Sequence, residues 1–242
     1  MDLVGWKDYL AFLGSSPHSV QLLTSTLVPR TSCPALQKVK INELNYKLWP
    51  FQQEILEKIG GATLILGLPT GLGKTFVAGA YLKNESIKRP LRVLFLTPSI
   101  PLGVQQTLFA KKMLNLEEAC FISGGIPPEK RKKLKVWNRG FVVSTPQTFA
   151  NDFLSDYAAS FNPAKDSRDS VSYLEEALEG KFSFPYDVVV ADEVQRYIGE
   201  TDGYSILLAA KALCVNILAL SATPQLHMPQ RLSELKKIFD NI

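Results

Sequence analysis

Six short apolar runs are the feature of this chain that most restricts the folds open to it. In chain order they are Thr63–Leu66, Val93–Leu96, Ala119–Ile122, Phe141–Ser144, Val188–Ala191 and Ile217–Leu220. Short runs of consecutive apolar residues are typical of parallel strands that are covered on both faces. Helical patterns follow the first two runs, at Thr75–Lys83 and Pro101–Met113. This alternation predicts a three-layer α/β/α fold with a mostly parallel central sheet.

The length and composition agree with such a fold without indicating a function. A chain of 242 residues, 46% of them hydrophobic, can form one large α/β domain with a substantial core. The formal net charge of +4 is only mildly basic, so charge alone does not indicate a nucleic-acid partner.

The cysteines and the apolar segments indicate a reducing compartment and no membrane span. Cys33, Cys120 and Cys214 stand far apart without a Cys-x-x-Cys pair, which argues against a disulfide framework or a zinc site. No secretory leader pattern is recognisable, and no apolar run reaches the roughly 18 residues expected of a membrane helix. We therefore expect a cytoplasmic protein, or a nuclear one in a eukaryote.

The chain divides into an N-terminal accessory arm and one main domain. The arm, residues 1–40, contains a predicted short helix from Asp2 to Leu13, followed by a stretch rich in Ser, Thr and Pro. The main domain, residues 41–242, is interrupted at about residues 154–184 by a polar stretch that we interpret as an insertion between two strands. A further helix is predicted inside that insertion, at Val171–Glu179.

A glycine-rich loop between the first strand and the first long helix predicts a phosphate site. The segment Leu68–Thr75 reads L-P-T-G-L-G-K-T, and its glycines allow backbone N–H groups to converge on anionic oxygens. The following helix N-terminus adds partial positive charge. We expect the lysine to reach the β- and γ-phosphates of ATP and the last threonine to bind Mg²⁺. The residues expected to contact the nucleotide here are Pro69, Thr70, Gly71, Leu72, Gly73, Lys74 and Thr75.

The loop departs from the strict phosphate-loop template at one position. The template G-x-x-x-x-G-K-[ST] requires glycine where Leu68 stands, and Gly67 lies one place too early. The alternative interpretation of the segment is an ordinary glycine-rich turn between a strand and a helix.

A second candidate site follows the fifth apolar run, which ends in Asp192 and Glu193. We expect Asp192 to hold Mg²⁺ through its water shell and Glu193 to accept the proton of the attacking water. A solvated strand end is the alternative for an acidic pair in isolation, but the phosphate loop upstream favours the catalytic interpretation.

Residues 44–235, which contain both candidate sites, resemble the first RecA-like domain of superfamily 2 helicases. Leu48–Gln52 reads L-W-P-F-Q and is similar to the family's L-R-P-Y-Q segment, with Trp49 replacing arginine; the resemblance implies that Gln52 reads the adenine edge. Asp192–Gln195 looks like a D-E-x-H box in which Gln195 replaces histidine. The segment Ser221, Ala222, Thr223 is similar to the S-A-T motif, which the family uses to couple the nucleotide site to strand movement.

Three further segments resemble one branch, the archaeal Hef and Fanconi-type M DNA helicases. Thr97–Gln105, Ser123–Arg131 and Ser144–Asp152 are similar to that branch's A-P-T-K-P-L-V-x-Q, T-G-x-x-x-P-E-K-R and A-T-P-Q-T-x-x-N-D segments. Hydroxyls and exposed N–H groups in such loops suit the phosphate–sugar backbone without reading bases. The residues expected to contact nucleic acid are Pro98, Ser99, Gln105, Gly124, Gly125, Thr145, Pro146, Gln147 and Thr148.

Two other features leave their interpretation open. The basic run Lys130–Lys135 has five cations in six residues and suits either a solvated helix face or a surface that steers nucleic acid. Trp49, Phe51 and Trp137 are expected to pack in the core or in a cleft rather than to stack on bases.

The resemblance implies an ATP-dependent DNA helicase or translocase that acts on forked or branched DNA in repair. Its catalytic residues would be Lys74, Asp192, Glu193 and Gln195, with ATP and Mg²⁺ as cofactors. In the family, a second RecA-like domain closes over the nucleotide and supplies arginine fingers, in cis or in trans. No later helicase motif follows Thr223, so we expect this chain to bind ATP and strand backbone but to hydrolyse poorly alone.

Three alternatives remain. The first is another helicase branch, such as an RNA-sensing or Dicer-like helicase or a CRISPR nuclease-helicase, with RNA as a possible partner. The second is a non-catalytic module that binds nucleotide and nucleic acid, for which Gln195 and Leu68 are the arguments. The third is an unrelated kinase or transferase with a phosphate loop, which the ordered helicase-like segments disfavour.

Overall fold

The computed structural model describes residues 36–59, 63–156, 178, 182–199, 201–222, 235–236 and 238–239. The predicted helix at Asp2–Leu13 lies outside these residues, and so does the predicted helix at Val171–Glu179 except for Leu178, which is helical. Residues 1–35 of the expected arm and most of the expected insertion also lie outside them. Residues at the end of that arm contact the main domain: Val39 forms an isolated antiparallel bridge with Leu91.

The described residues form one six-stranded sheet in which every strand pair is parallel. Its strands are β1 (Leu64–Gly67), β2 (Val93–Leu96), β3 (Cys120–Ile122), β4 (Phe141–Ser144), β5 (Val188–Ala191) and β6 (Asn216–Ser221). Their spatial order is β1-β6-β5-β2-β4-β3. Each strand lies at one of the six predicted runs, shifted by one residue at most at either end, so the predicted parallel sheet is confirmed.

Helices cover both faces of this sheet. They are α1 (Pro50–Lys58), α2 (Lys74–Lys88), α3 (Ile100–Met113), α4 (Pro128–Lys133), α5 (Pro146–Phe153) and α6 (Asp202–Ala212), with short 3₁₀ turns at Val136–Asn138 and Val194–Arg196. Proline stands in the first turn of four of them, α1, α3, α4 and α5, where its missing N–H removes no helical hydrogen bond. The predicted helix Thr75–Lys83 was too short, because α2 continues to Lys88.

Alternate side chains of each strand enter two separate hydrophobic clusters. In β2, Leu94 and Leu96 belong to one cluster, whereas Val93 and Phe95 belong to the other. Successive side chains of a strand point to opposite faces, so both faces of the sheet are buried beneath helices. This arrangement confirms the predicted three-layer α/β/α architecture. Within the described residues, no helix is both long and apolar enough to cross a membrane.

The parallel register brings the carboxyl ends of the strands to one edge. Gly67 at the end of β1 pairs with Ser221 at the end of β6. Leu96 at the end of β2 pairs with both Ala191 and Ser144, the last residues of β5 and β4. The loops after these strands therefore meet at one edge, which is where ligands bind in open α/β sheets.

Candidate nucleotide and strand-binding site

Two glycines of the phosphate loop adopt a backbone conformation that other residues disfavour. Gly71 and Gly73 have φ angles of 85° and 78°, in the left-handed region that side chains disfavour. A Cβ atom on Gly73 would also lie 2.5 Å from Nε2 of Gln52. Glycine at position 73 is therefore required by both the backbone angle and the close approach of the Gln52 side chain.

Leu68 occupies the position at which the template has glycine, and its environment explains why leucine is accepted there. Its side chain is only 9% exposed and packs in the hydrophobic cluster beneath α2. Its φ angle is not positive, so no glycine is needed. Its N–H donates to the Ser221 carbonyl at 3.1 Å, and its carbonyl accepts from Nζ of Lys74 at 3.0 Å.

Lys74 and Thr75 form the first turn of α2, directly after Gly73. Both side chains are partly buried. The N-terminus of this 15-residue helix presents N–H groups without intrahelical partners, together with the positive end of the helix dipole. A lysine ammonium at such a terminus completes a site that favours anions such as phosphate groups.

Asp192 follows β5 and is buried at the same edge. Burial raises the pKa of its carboxyl to about 6, and the neighbouring Glu193 charge adds to that effect. A side-chain hydrogen bond from Gln106 and the Lys74 charge act in the opposite direction on the same pKa. The acidic loop and the phosphate loop face each other, as expected from the parallel register, because one glutamine on α3 contacts both Asp192 and Thr75.

Gln106, on α3, was not among the predicted site residues although it lies at the centre of the site. Its Nε2 donates to Oδ2 of Asp192 at 3.1 Å and to Oγ1 of Thr75 at 3.5 Å. The resemblance to helicase motifs ended one residue earlier, at Gln105, which is half-buried. Gln106 lies on the buried face of α3 together with Gly103 and Thr107. A polar side chain on a buried helix face is the one feature of the sequence that could have indicated a role for Gln106.

The donor set at this point fits Mg²⁺ bound together with phosphates. Thr75 supplies a hydroxyl oxygen and Asp192 a carboxylate oxygen, and both contact the Gln106 amide. Among the described residues there is no group of three or more His, Cys, Asp or Glu side chains that could hold a metal. Mg²⁺ in phosphate-transfer sites is commonly bound by one or two protein oxygens, with phosphates and water completing its shell.

A chain of hydrogen bonds runs from the acidic pair to the end of β6. Glu193 has a left-handed backbone, φ 52°, and its Oε2 accepts a short hydrogen bond from Nε2 of Gln195. Oε1 of Gln195 accepts from the Ser221 hydroxyl at 2.8 Å. The glutamine that replaces the family's histidine therefore joins the acidic box to the S-A-T segment. Ala222 is half-buried next to Ser221, and Thr223 lies outside the described residues.

Gln52 connects helix α1 to the phosphate loop. Its buried side chain accepts a hydrogen bond from the Trp49 N–H at 2.9 Å and donates one to the Leu72 carbonyl at 2.9 Å. Trp49 itself is 62% exposed and meets only the edge of Phe51, at 5.8 Å between ring centroids. Of the expected core or cleft packing of Trp49, the core alternative was therefore wrong. Trp49 precedes the first residue of α1, and Gln52 is the residue of that helix that is buried.

The residues expected to contact nucleic acid differ in their exposure. Gly124, Gly125 and Gln147 are exposed, whereas Pro98, Ser99, Gln105 and Thr145 are half-buried and Pro146 and Thr148 are buried. The Thr148 hydroxyl lies 2.9 Å from that of Thr145, three residues earlier, at the start of α5. Thr148 is therefore directed into the protein, and Thr145 presents the accessible hydroxyl of the pair.

Arg131 is the one residue of the five cations in the basic run whose side chain is buried in the protein interior. It is 3% exposed, and its Nε donates to Oδ2 of Asp152 at 2.6 Å, with a second short bond between the same two side chains. Nε1 of Trp137 donates to the same carboxylate at 2.7 Å, so this tryptophan packs as expected. The ion pair of Arg131 and Asp152 joins α4, which follows β3, to α5, which follows β4. The four lysines of the run remain exposed.

Comparison with known proteins agrees with this geometry. The family model described as DEAD/DEAH box helicase matches residues 49–232. The Candida albicans ATP-dependent DNA helicase MPH1 is 29% identical over 216 residues, which are 85% of this chain and 15% of that protein. The Drosophila melanogaster DEAD-box ATP-dependent DNA helicase Fancm is 29% identical over 188 residues, which are 74% of this chain and 11% of that protein.

Among solved structures, the Pyrococcus furiosus Hef helicase domain is similar with a TM-score of 0.60 and 26% sequence identity. The similarity covers 78% of this chain and 35% of that one. The chain thus spans only 15% and 11% of the length of the two curated relatives described above.

Proposed function

Because this chain belongs to the DEAD/DEAH box helicase family, we propose that it is the ATP-binding first half of a motor that remodels forked or branched DNA in repair. The matched residues 49–232 lie within the segment 44–235 whose motifs resemble superfamily 2 helicases, so that resemblance is confirmed. The proposal is carried by the meeting of the Gly73–Thr75 turn with Asp192 through one buried glutamine amide.

Each residue at this edge has a role in the proposed reaction. Backbone N–H groups at the glycine-rich loop and the Lys74 ammonium bind the phosphates, and Gln52 holds the loop against α1. Thr75 and Asp192 would hold Mg²⁺, which supplies charge neutralisation at the phosphates when it is bound. Glu193 accepts the proton of the attacking water.

The strand-binding surface is proposed to be the loops next to this site. The exposed Gly124, Gly125 and Gln147 and the half-buried Ser99 and Thr145 offer N–H, amide and hydroxyl groups to a phosphate backbone. Contacts to the phosphate backbone do not distinguish one base from another, so binding should be largely independent of the base sequence. The two relatives described above are both ATP-dependent DNA helicases, which favours DNA over RNA. We place the protein where cellular DNA is found, in the cytoplasm or, in a eukaryote, the nucleus.

Efficient hydrolysis is proposed to need a second RecA-like domain, in cis or in trans. This chain spans 15% and 11% of the two relatives described above, whose further residues could supply such a domain. Loss of an arginine finger lowers phosphoryl-transfer rates by on the order of 10³–10⁵. The isolated chain should therefore bind ATP and turn it over slowly.

A binding comparison on the 242-residue chain tests the proposed substrate. Fluorescence anisotropy would measure its affinity for forked DNA, single-stranded DNA and double-stranded RNA of matched length, at one fixed salt concentration. We expect forked DNA to bind most tightly, and Gln147→Ala together with Thr145→Val to weaken it. Tighter binding of double-stranded RNA would reject the proposed DNA branch, and rapid ATP hydrolysis by the isolated chain would reject the proposed dependence on a second domain.

A further inference from the structure

We propose that Gln106 is a positioning residue that holds the Thr75 hydroxyl and the Asp192 carboxylate at the separation required by a shared divalent cation. This inference rests on the proposed nucleotide site. Gln106 follows directly after Thr97–Gln105, the segment whose motif resembles that of the helicases, and was not among the predicted site residues.

The side-chain amide of Gln106 has one N–H donor for each of the two oxygen atoms it contacts, which belong to Asp192 and Thr75. Gln106 is 4% exposed, and its Nε2 lies 3.1 Å from Oδ2 of Asp192 and 3.5 Å from Oγ1 of Thr75. A primary amide carries two N–H donors, which is the number of oxygen atoms that Nε2 contacts here. The two oxygens come from elements that are distant in sequence, the start of α2 and the loop after β5.

The Asp192 carboxylate that Gln106 contacts is buried. An ionised carboxylate that has lost water must be compensated by hydrogen bonds or by opposite charge. Gln106 supplies such a hydrogen bond to Asp192, whose own N–H is already used by the Leu96 carbonyl. The amide therefore keeps the Oδ2 atom at a defined position, and residues that orient metal ligands in this way act on metal affinity.

The side chain of Gln106 carries no charge, which suits a residue that contacts two ligands of a cation. A lysine or arginine at position 106 would compete with the cation for Asp192, and a carboxylate would repel it. A neutral amide donates hydrogen bonds to both ligands without changing the net charge of the site. Glutamine therefore meets the two requirements of this position, which are donors for two oxygens and no net charge.

The test compares nucleotide binding with and without the metal. A fluorescent ADP analogue is titrated into the 242-residue chain and into Gln106→Met, once with excess Mg²⁺ and once with EDTA. Methionine has a similar volume but no N–H donors. We expect the gain in affinity due to Mg²⁺ to fall by about tenfold in the variant, the lower end of the effect of removing a group that orients metal ligands. Binding in EDTA should be unchanged.

Two controls separate this inference from the proposed function. Thr107→Val alters the next residue of α3, whose hydroxyl donates to the Gly103 carbonyl within that helix, and should keep the full Mg²⁺ effect. Lys74→Ala should weaken nucleotide binding in both conditions. If the unaltered chain binds no nucleotide, the proposed function fails; if it binds with a Mg²⁺ effect that Gln106→Met retains in full, only the role of Gln106 is overturned.

A measurement on the unaltered chain keeps the inference testable if the methionine variant does not fold. The side-chain amide resonances of Gln106 are followed by NMR while nucleotide is added in EDTA and then Mg²⁺ is supplied. The proposal requires these resonances to shift on addition of Mg²⁺, because both hydrogen-bond acceptors become metal ligands. Resonances that respond to nucleotide but not to Mg²⁺ would overturn it.

Discussion

The Ser221 hydroxyl donates a 2.8 Å hydrogen bond to Oε1 of Gln195. It joins the end of β6 to the acidic loop after β5, and the amide nitrogen of the same glutamine continues the connection to Glu193. A glutamine amide carries an acceptor and donors at once, so it can contact both neighbours. Replacement of the family's histidine by glutamine therefore leaves this connection intact.

A double-mutant cycle should detect the Ser221–Gln195 hydrogen bond as a coupling energy. Gln195→Leu leaves the buried Ser221 hydroxyl without that acceptor, so we expect the free energy of unfolding to fall by about 1–3 kcal/mol. With Ser221→Ala present, the same change should have an effect smaller by about 1 kcal/mol. Urea unfolding of the four proteins provides the measurement. Strictly additive effects would show that the two side chains are not coupled.

The buried Asp192 carboxyl should give the metal-free protein a characteristic pH dependence. Its pKa is raised from the unfolded value of 3.8 to about 6, so between these values the folded state binds more protons than the unfolded state. The contribution of this group to the free energy of unfolding therefore falls as the pH rises through that window, by on the order of 3 kcal/mol, and is constant above it.

Asp192→Asn isolates that contribution because asparagine does not titrate. In EDTA, the stability of the variant relative to the unaltered chain should increase as the pH rises from 4 to 6.5, and then level off. Chemical unfolding at several pH values would show it. A difference that stays constant over this range would mean that Asp192 titrates normally in the folded chain.

The buried pair of Arg131 and Asp152 should be important for stability. Their side chains are only 4% and 15% exposed, and Asp152→Ala would leave the guanidinium buried without its carboxylate. We expect a loss of about 3 kcal/mol, since breaking a buried ion pair by removing one partner typically costs 3–5 kcal/mol. Glu129→Ala, an exposed acidic residue on α4, is the matched control and should change stability by less than about 0.5 kcal/mol. Equal effects of the two substitutions in urea unfolding would contradict this assignment.

The exposed lysines of α4 and its C-terminal end test the open interpretation of the basic run. Since Arg131 ties α4 to the proposed strand-binding loops, we expect these lysines to contact DNA phosphates. Replacing them all with glutamine should reduce the slope of log K against log salt by about 0.7 for each contact to a single strand. The positions are Lys130, Lys132, Lys133 and Lys135.

Four exposed lysines elsewhere, Lys40, Lys47, Lys58 and Lys88, make the matched control. Their replacement by glutamine produces the same change in net charge. If both sets alter the salt dependence equally, the basic run acts only through net charge and is a solvated helix face.

Local patterns in the sequence predicted the parts of this fold that depend on neighbouring residues. The six strands follow from short apolar runs, and the start of α2 follows from the glycine-rich loop before it. Leu68 departed from the template, but the requirement for glycine depends on its φ angle, which only the structure could supply.

Contacts between distant segments could not be predicted in the same way. Gln106 reaches Asp192 across 86 positions of sequence, and no local pattern indicates which buried glutamine will meet a carboxylate. The same holds for Arg131, which lies within a run of cations and is buried because Asp152 comes close to it from another helix. The inward direction of Thr148 likewise depends on the packing of α5.

Equilibrium titration of the chain with a fluorescent ATP analogue in the presence of Mg²⁺ measures whether this edge of the sheet binds ATP. Lys74→Ala is compared with Lys88→Ala, which removes an exposed lysine from the other end of the same helix. We predict saturable binding that is lost in Lys74→Ala and retained in Lys88→Ala. Absence of saturable binding, or binding that is unchanged in Lys74→Ala, would contradict the account.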